Sequence, residues 1–349
     1  MIRFCNDYSE GCHPKILEAM ARANLEGNPG YSTDAHTQHA AELICAAAHR
    51  PDADVHIMVG GTQTNTVAIS AFLRPWQAAI AADTGHICVH ETGAIEASGH
   101  KCIPCPNDDG KLTPDAIRAA CDEHAGVVHM TQPALVYISE TTELGTLYTY
   151  EELKALRKVC DELGLILYID GARMGSALAT GQITLPQIAE VADAFYIGGT
   201  KNGALFGEAL VICNDKLKEG FRYNIKQRGA LLAKGWMLAV QFEVLMENDM
   251  ELFLHLGRHA NEQSIRLRDG IAALGYQFTN HSDSNQQFVI FPDEVIAALA
   301  PDFGFEAQYK PDAQHTVIRL VTSFGTHSSD VDAFLHALAA VTRAQDLPA

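Results

Sequence analysis

Positive charge is scarce in this chain. Its 349 residues hold 25 Lys and Arg against 43 Asp and Glu, a formal charge of −18 at pH 7. Nucleic acids and anionic membranes are bound by clustered cations, so neither is an expected partner. Small anions held by a few local cations stay compatible with this balance. Long apolar runs are missing too, since nothing approaches the ~20 residues that span a bilayer. The opening M-I-R-F-C-N-D-Y-S has no signal-peptide core. Cysteine is sparse and odd in number, nine in all. That argues against a disulfide framework and for a reducing cytoplasm. Cys102 and Cys105 form a lone C-x-x-C whose neighbours Pro104 and Pro106 suggest a loop with ordinary thiols. No H-E-x-x-H or similar spacing joins His86, His90 and His100, so no metal site is expected.

What is present is an ordinary globular balance, 47% hydrophobic and 19% charged residues. The length suggests two domains, or one large domain with an appendage. Residues 1–13 read as an irregular arm. Pro14 suits the start of a helix that Gly27 ends, and a second helix is expected from about Thr37 to His49. V-H-I-M-V, then G-G-T-Q-T-N, then V-A-I-S-A-F-L compress a strand, a glycine turn and a helix start. Thr149 and Glu152 form a capping box, and Gly164 closes the helix it opens. Strands and helices alternate up to about residue 213, which predicts a mainly parallel sheet covered by helices. Long helical patterns run from about Ala230 to Asn248 and from Glu251 to Leu274. The rest reads as a small α+β unit. The expected division is 1–249, arm and large α/β domain, and 250–349, small C-terminal domain.

Two runs stand out. L-I-L-Y-I leads into Asp170, and A-F-Y-I-G-G-T leads into Lys201. As neighbouring strands of a parallel sheet, they bring an acid and an amine to one carboxyl edge, where such sheets bind ligands. A helix N-terminus after Gly60 and Gly61 is a natural phosphate seat, with Thr62 and Thr64 offering hydroxyls. Each feature alone has a plain structural reading. Together they fit pyridoxal phosphate, which needs a lysine, an acid for its ring nitrogen, a phosphate cup and a flat group against its ring. His86 is the candidate for that last part.

G-G-T-Q-T-N, G-H-I-C-V-H-E-T-G-A, L-Y-I-D-G-A-R-M, G-G-T-K-N and V-I-R-L-V-T-S, in this order, resemble the threonine aldolase group. That group belongs with the β-eliminating lyases among pyridoxal-phosphate enzymes of fold type I. The resemblance implies an α/β fold of that type with a small C-terminal α+β domain. It implies that Lys201 carries the cofactor as a Schiff base and that Asp170 pairs with the ring nitrogen. His86 would stack on the ring, and Gly61 and Thr62 would bind the phosphate with help from Thr200. Arg173, beside the cofactor, and Arg319 would bind the substrate carboxylate, with Ser9 assisting. His129 would sit near the substrate β-hydroxyl. Here N-D-Y-S-E-G replaces the family's usual S-D-T-V-T opening, so Asp7 is a second candidate for the job of Ser9. The implied activity is cleavage of L-threonine or a related β-hydroxy-α-amino acid to glycine and an aldehyde. Alternatives are β-elimination, an aldolase for bulky aryl substrates, or a catalytically silent binding protein. A homodimer or homotetramer is implied, with Arg228 and Lys234 in a segment that approaches a neighbouring subunit.

Overall fold

The structure, a computed structural model, describes residues 1–345, so the last four residues of the expected small domain lie outside the described residues. Its centre is a seven-stranded sheet. The strands run in the order Asp54–Met58, Glu208–Ile212, Ala194–Gly198, Ile166–Asp170, Gln132–Ser139, Gln77–Ala82 and Lys101–Cys105. Glu208–Ile212 alone runs opposite to the other six strands.

The strands are apolar on both sides because helices cover both faces. Val136, Ile138, Leu167 and Ile169 enter the core on one face, with Phe242 and Leu245 of the long helix. Leu135, Tyr137 and Tyr168 alternate onto the other face, with Val67 and Ile69 of the helix Gly61–Phe72. The capping box at Thr149 and Glu152 forms as expected, and Gly164 ends that helix in the left-handed region at φ 68°.

Some expectations change. Lys101–Cys105 is an edge strand, not a loop, with Cys102 and Cys105 buried and Pro104 facing out, where its missing N–H costs no ladder bond. The long helix begins at Trp236 rather than Ala230 and runs to Ala273, with non-helical backbone at Glu247–Met250. Residues 1–13 are not wholly irregular. Ile2 and Arg3 pair in parallel with Phe303 and Gly304. Phe4 is fully buried against Phe334 at 5.6 Å, so burial of one aromatic ring ties the arm down. That ring belongs to a third core with Leu267, Ile271, Val289, Phe291 and Ile318. There a four-stranded antiparallel sheet includes Gln286–Pro292 and His315–Val321.

Candidate active site

The carboxyl edge of the parallel strands collects the polar groups. Asp54–Met58 leads to the glycine turn, Gln77–Ala82 to His86, and Gln132–Ser139 to Glu143. Ile166–Asp170 leads to Arg173, and Ala194–Gly198 to Lys201. The antiparallel strand starts at this edge and adds Glu208. With Tyr8 from the arm these groups line an inner cavity of about 280 Å³. An outer cavity of about 530 Å³ shares Tyr8, His86, Glu143, Arg173 and Lys201, and extends to His90, Glu306 and Arg319.

Asp170 is held from three sides. Its Oδ1 accepts the Ala172 N–H at 3.0 Å, and its Oδ2 accepts Asn65 Nδ2 at 2.9 Å and Tyr137 Oη at 2.5 Å. The chain turns tightly just after it. A Cβ at Gly171 would lie 1.9 Å from the Tyr196 carbonyl oxygen, so only glycine fits. The Lys201 ammonium is disfavoured by burial and by the Arg173 charge, and its pKa falls below the usual lysine range. Neutral amine is the nucleophilic form.

Gly60, Gly61 and Thr62 line the inner cavity where the helix Gly61–Phe72 begins, and no side chain caps that helix. Its first-turn N–H groups are therefore donors for an anion. A Cβ at Gly61 would come within 3.0 Å of Tyr196 Oη, so glycine keeps this floor low. Thr64 does not serve here, because its hydroxyl donates to the Gly60 carbonyl at 3.0 Å. Thr200 lines the cavity and accepts the Gly207 N–H at 3.0 Å. Glu208 was not expected at this end. Its carboxylate accepts the Gly199 N–H at 3.1 Å, and burial pushes its pKa up to about 8. Burial that favours its proton makes this carboxyl more compatible with an anion beside it.

The His86 Nδ1–H donates to Glu91 Oε1 at 2.8 Å. Burial alone would lower its pKa, but Glu91 and Asp170 outweigh it and raise it. Glu91 Oε1 also accepts Asn65 Nδ2 at 2.7 Å, which ties His86 to Asp170. Arg173 makes a bidentate pair with Asp7, from Nε at 2.7 Å and Nη2 at 3.2 Å. Burial opposes the charge on Asp7, yet Arg173 and Lys201, with a bond from Asn285, hold its pKa below the usual range. Much of the Arg173 fork is thus already occupied. Arg319 pairs through Nη2 with Glu306, and its buried Nε has no acceptor among the described residues.

Two expected site residues are elsewhere. His129 is exposed in the turn before Gln132–Ser139, at the amino end of that strand. Eight strand residues at roughly 3.3 Å each separate it from the cavity edge. Ser9 is exposed, donates to Asn6 Oδ1 at 3.0 Å and lines neither cavity. Tyr8 takes the place beside Lys201, with its ring centroid 5.9 Å from Nζ. Arg228 and Lys234 are exposed in the single chain. Sequence reasoning missed Glu143, Tyr8, Asn65, Glu91, Tyr137 and Glu208. None carries a spacing signal, because their meeting depends on sheet order.

Glu140, one residue past Ser139, is fully buried. Its Oε2 accepts the Tyr148 N–H at 3.1 Å, its Oε1 has no partner, and burial pushes its pKa up to about 8. The unfolded chain loses this proton near 4.5, while the folded chain keeps it until about 8. Stability therefore falls as pH rises through that window. Glu140→Gln, which mimics the protonated form, is expected to raise Tm by about 2–5 °C near pH 8 and to leave it unchanged below pH ~4.5. Calorimetry at the two pH values checks this. Equal Tm values near pH 8 would refute it.

The description of the family Beta-eliminating lyase matches residues 6–294. A low specificity L-threonine aldolase from Pseudomonas sp. is 32% identical over 302 residues, covering 85% of this chain and 86% of that protein. A solved structure of a Leishmania major threonine aldolase superposes with a TM-score of 0.96 at 48% identity, covering 98% of this chain and 100% of that one. A Thermus thermophilus aspartate aminotransferase, with a TM-score of 0.71 at 16% identity, covers 98% of this chain and 91% of that one, and shares its fold. The seven-stranded α/β core and small antiparallel sheet are those of fold type I, and the chain belongs to the β-eliminating lyase family of pyridoxal-phosphate-dependent lyases.

Proposed function

We propose that this protein is a pyridoxal-phosphate-dependent aldolase. It cleaves L-threonine or a related β-hydroxy-α-amino acid to glycine and an aldehyde. The observation that carries this reading is Asp170 and Lys201 facing one cavity whose floor is the uncapped turn Gly60–Thr62. The threonine aldolase relatives give the reaction class.

The residues present fit the cofactor. Lys201 supplies the amine that holds it, and Asp170 supplies a carboxylate anchored by three donors for its ring nitrogen. The first-turn N–H groups at Gly61 and Thr62, with Thr200, suit its phosphate, and His86 suits its ring face. When bound, pyridoxal phosphate supplies an electron sink for the pair left at the substrate Cα.

The remaining work falls to the chain. Arg319 binds the substrate carboxylate, using a guanidinium that lines the outer cavity. Arg173 keeps its pair with Asp7 and adds positive charge beside that carboxylate. This would set which Cα bond is broken, because it fixes the substrate carboxylate relative to the cofactor ring that Asp170 would hold. Cleavage then requires that the β-hydroxyl give up its proton where the two cavities meet beside Lys201. We also read residues 250–349 as a small domain, supported by the third core, and the working protein as a homo-oligomer, supported by the family resemblance.

A panel of β-hydroxy-α-amino acids, in both enantiomers and both β-configurations, tests the reading. Glycine and aldehyde should appear in equal amounts from the L-threonine series. Ammonia and an oxo acid without glycine would instead establish β-elimination.

A further inference from the structure

The aldolase reading requires a proton acceptor for the substrate β-hydroxyl, and His129 is at the wrong edge of the sheet. Most titratable groups in the two cavities are already committed. Asp170 is bonded at both oxygens, and Glu306 is held by Arg319. Glu208 lines only the inner cavity, beside Thr200 and the glycine turn. His90 lines only the outer cavity. Lys201 holds the cofactor in this reading, and His86 is given to its ring face, where Glu91 and Asp170 favour its protonated form.

Glu143 is different. It lines both cavities, as do Lys201, Arg173, His86 and Tyr8. Both hydrogen bonds it receives go to one oxygen. Oε1 accepts Ser139 Oγ at 2.6 Å and the His86 N–H at 2.8 Å. Among the described residues no donor reaches Oε2. One oxygen is therefore anchored while the other is available to a ligand. The supporting loop is held firmly too. The Thr142 N–H donates to the Thr146 carbonyl at 3.0 Å, and the two threonine hydroxyls bond at 2.7 Å. Ser139 Oγ also lies 3.3 Å from Tyr137 Oη, which bonds Asp170, so the carboxyl shares a buried network with the cofactor end of the site. Burial, and the nearby Asp170 charge, raise its pKa against the pull of the Ser139 bond. A carboxylate made more basic in this way is a better proton acceptor near neutral pH.

We infer that Glu143 is a catalytic residue, the base that takes the β-hydroxyl proton onto Oε2. This rests on the aldolase reading. As the O–H bond breaks, its electron pair forms the aldehyde C=O π bond. The Cα–Cβ pair stays with the glycine fragment, whose Cα then takes a proton. The proton on Oε2 returns to solvent through the outer cavity. No oxidant or other reactant is needed.

Glu143→Gln in the cofactor-loaded enzyme tests this with two readouts. One is acetaldehyde release from L-threonine, which needs the β-hydroxyl proton removed. The other is exchange of the glycine α-proton in deuterated water, followed by NMR, which breaks Cα–H and involves no β-hydroxyl. Expected is a fall of about 10²–10⁴-fold in kcat for cleavage, with exchange and the bound-cofactor spectrum near wild type. Glu143→Asp, which keeps a carboxylate, should recover part of the cleavage. Cleavage by Glu143→Gln near the wild-type rate would overturn the assignment. So would a parallel loss of cleavage and exchange, since that is the mark of a positioning or structural role. Wild-type enzyme that exchanges glycine but releases no aldehyde from any β-hydroxy amino acid would sink the aldolase reading itself, a separate outcome.

Discussion

Lys201→Ala is expected to give a folded protein that stays colourless after incubation with pyridoxal phosphate and loses L-threonine cleavage. The fall in kcat should be at least about 10³-fold, because the residue acts as a nucleophile and its loss is not made up by binding alone. The physical case rests on its surroundings. Burial and the Arg173 guanidinium disfavour the ammonium and leave more of the reactive amine. Asp7 and Asp170 oppose that shift without reversing it. The fold should survive, since Lys201 belongs to none of the apolar cores. Borohydride reduction followed by peptide mass mapping identifies the attachment point in the wild type. A cofactor mass on any other lysine, or a coloured Lys201→Ala variant with bound cofactor, would disprove the assignment.

Arg319→Ala should act on the substrate and spare the cofactor. Arg319 projects from the strand His315–Val321 of the small sheet into the outer cavity, and it does not line the inner one. Removing one partner of a desolvated, hydrogen-bonded ion pair costs about 2–5 kcal/mol, which predicts a rise in KM of roughly 30- to 5,000-fold. Part of that cost falls on Glu306, which loses its cation. Arg319→Lys should recover some affinity but not all, because an ammonium cannot form the planar two-point contact of a guanidinium. Titration of the cofactor absorption with glycine or L-threonine separates binding from turnover. Release of cofactor with unchanged amino-acid affinity would show that Arg319 serves the wrong ligand. Arg173 is a poorer test, because its pair with the buried Asp7 confounds binding with folding.

The departures from expectation share a pattern. His129 is a histidine at a strand start, and the spacing from the strand alone does not say which end of that strand faces the ligand. Parallel packing decides it, since the active edge is the one to which Asp170 and Lys201 emerge. Glu143 lies in the polar loop E-T-T-E-L-G, where the sequence offers two glutamates three residues apart. Glu140 turns into the core beside Tyr148, and Glu143 turns into the cavity beside His86. That difference arises from the loop's own hydrogen bonds, which have no linear signature. Ser9 and Tyr8 are adjacent in the arm, and the burial of Phe4 in the small core helps fix how the arm lies against the site.

Local chemistry was written in the chain. The capping box at Thr149, the stop at Gly164, the glycine turn at residues 60 and 61, and the apolar runs before Asp170 and Lys201 each depend on neighbours a few positions away. Such interactions can be read from order alone. Tertiary structure decided which polar groups meet. Asp7 joins Arg173 and Asn285, Asn65 bridges Glu91 and Asp170, and Glu143 is fixed by Ser139 and His86. Apart from the Ser139–Glu143 bond, these contacts join residues far apart in sequence, and their geometry follows from strand order and the packing of the cores.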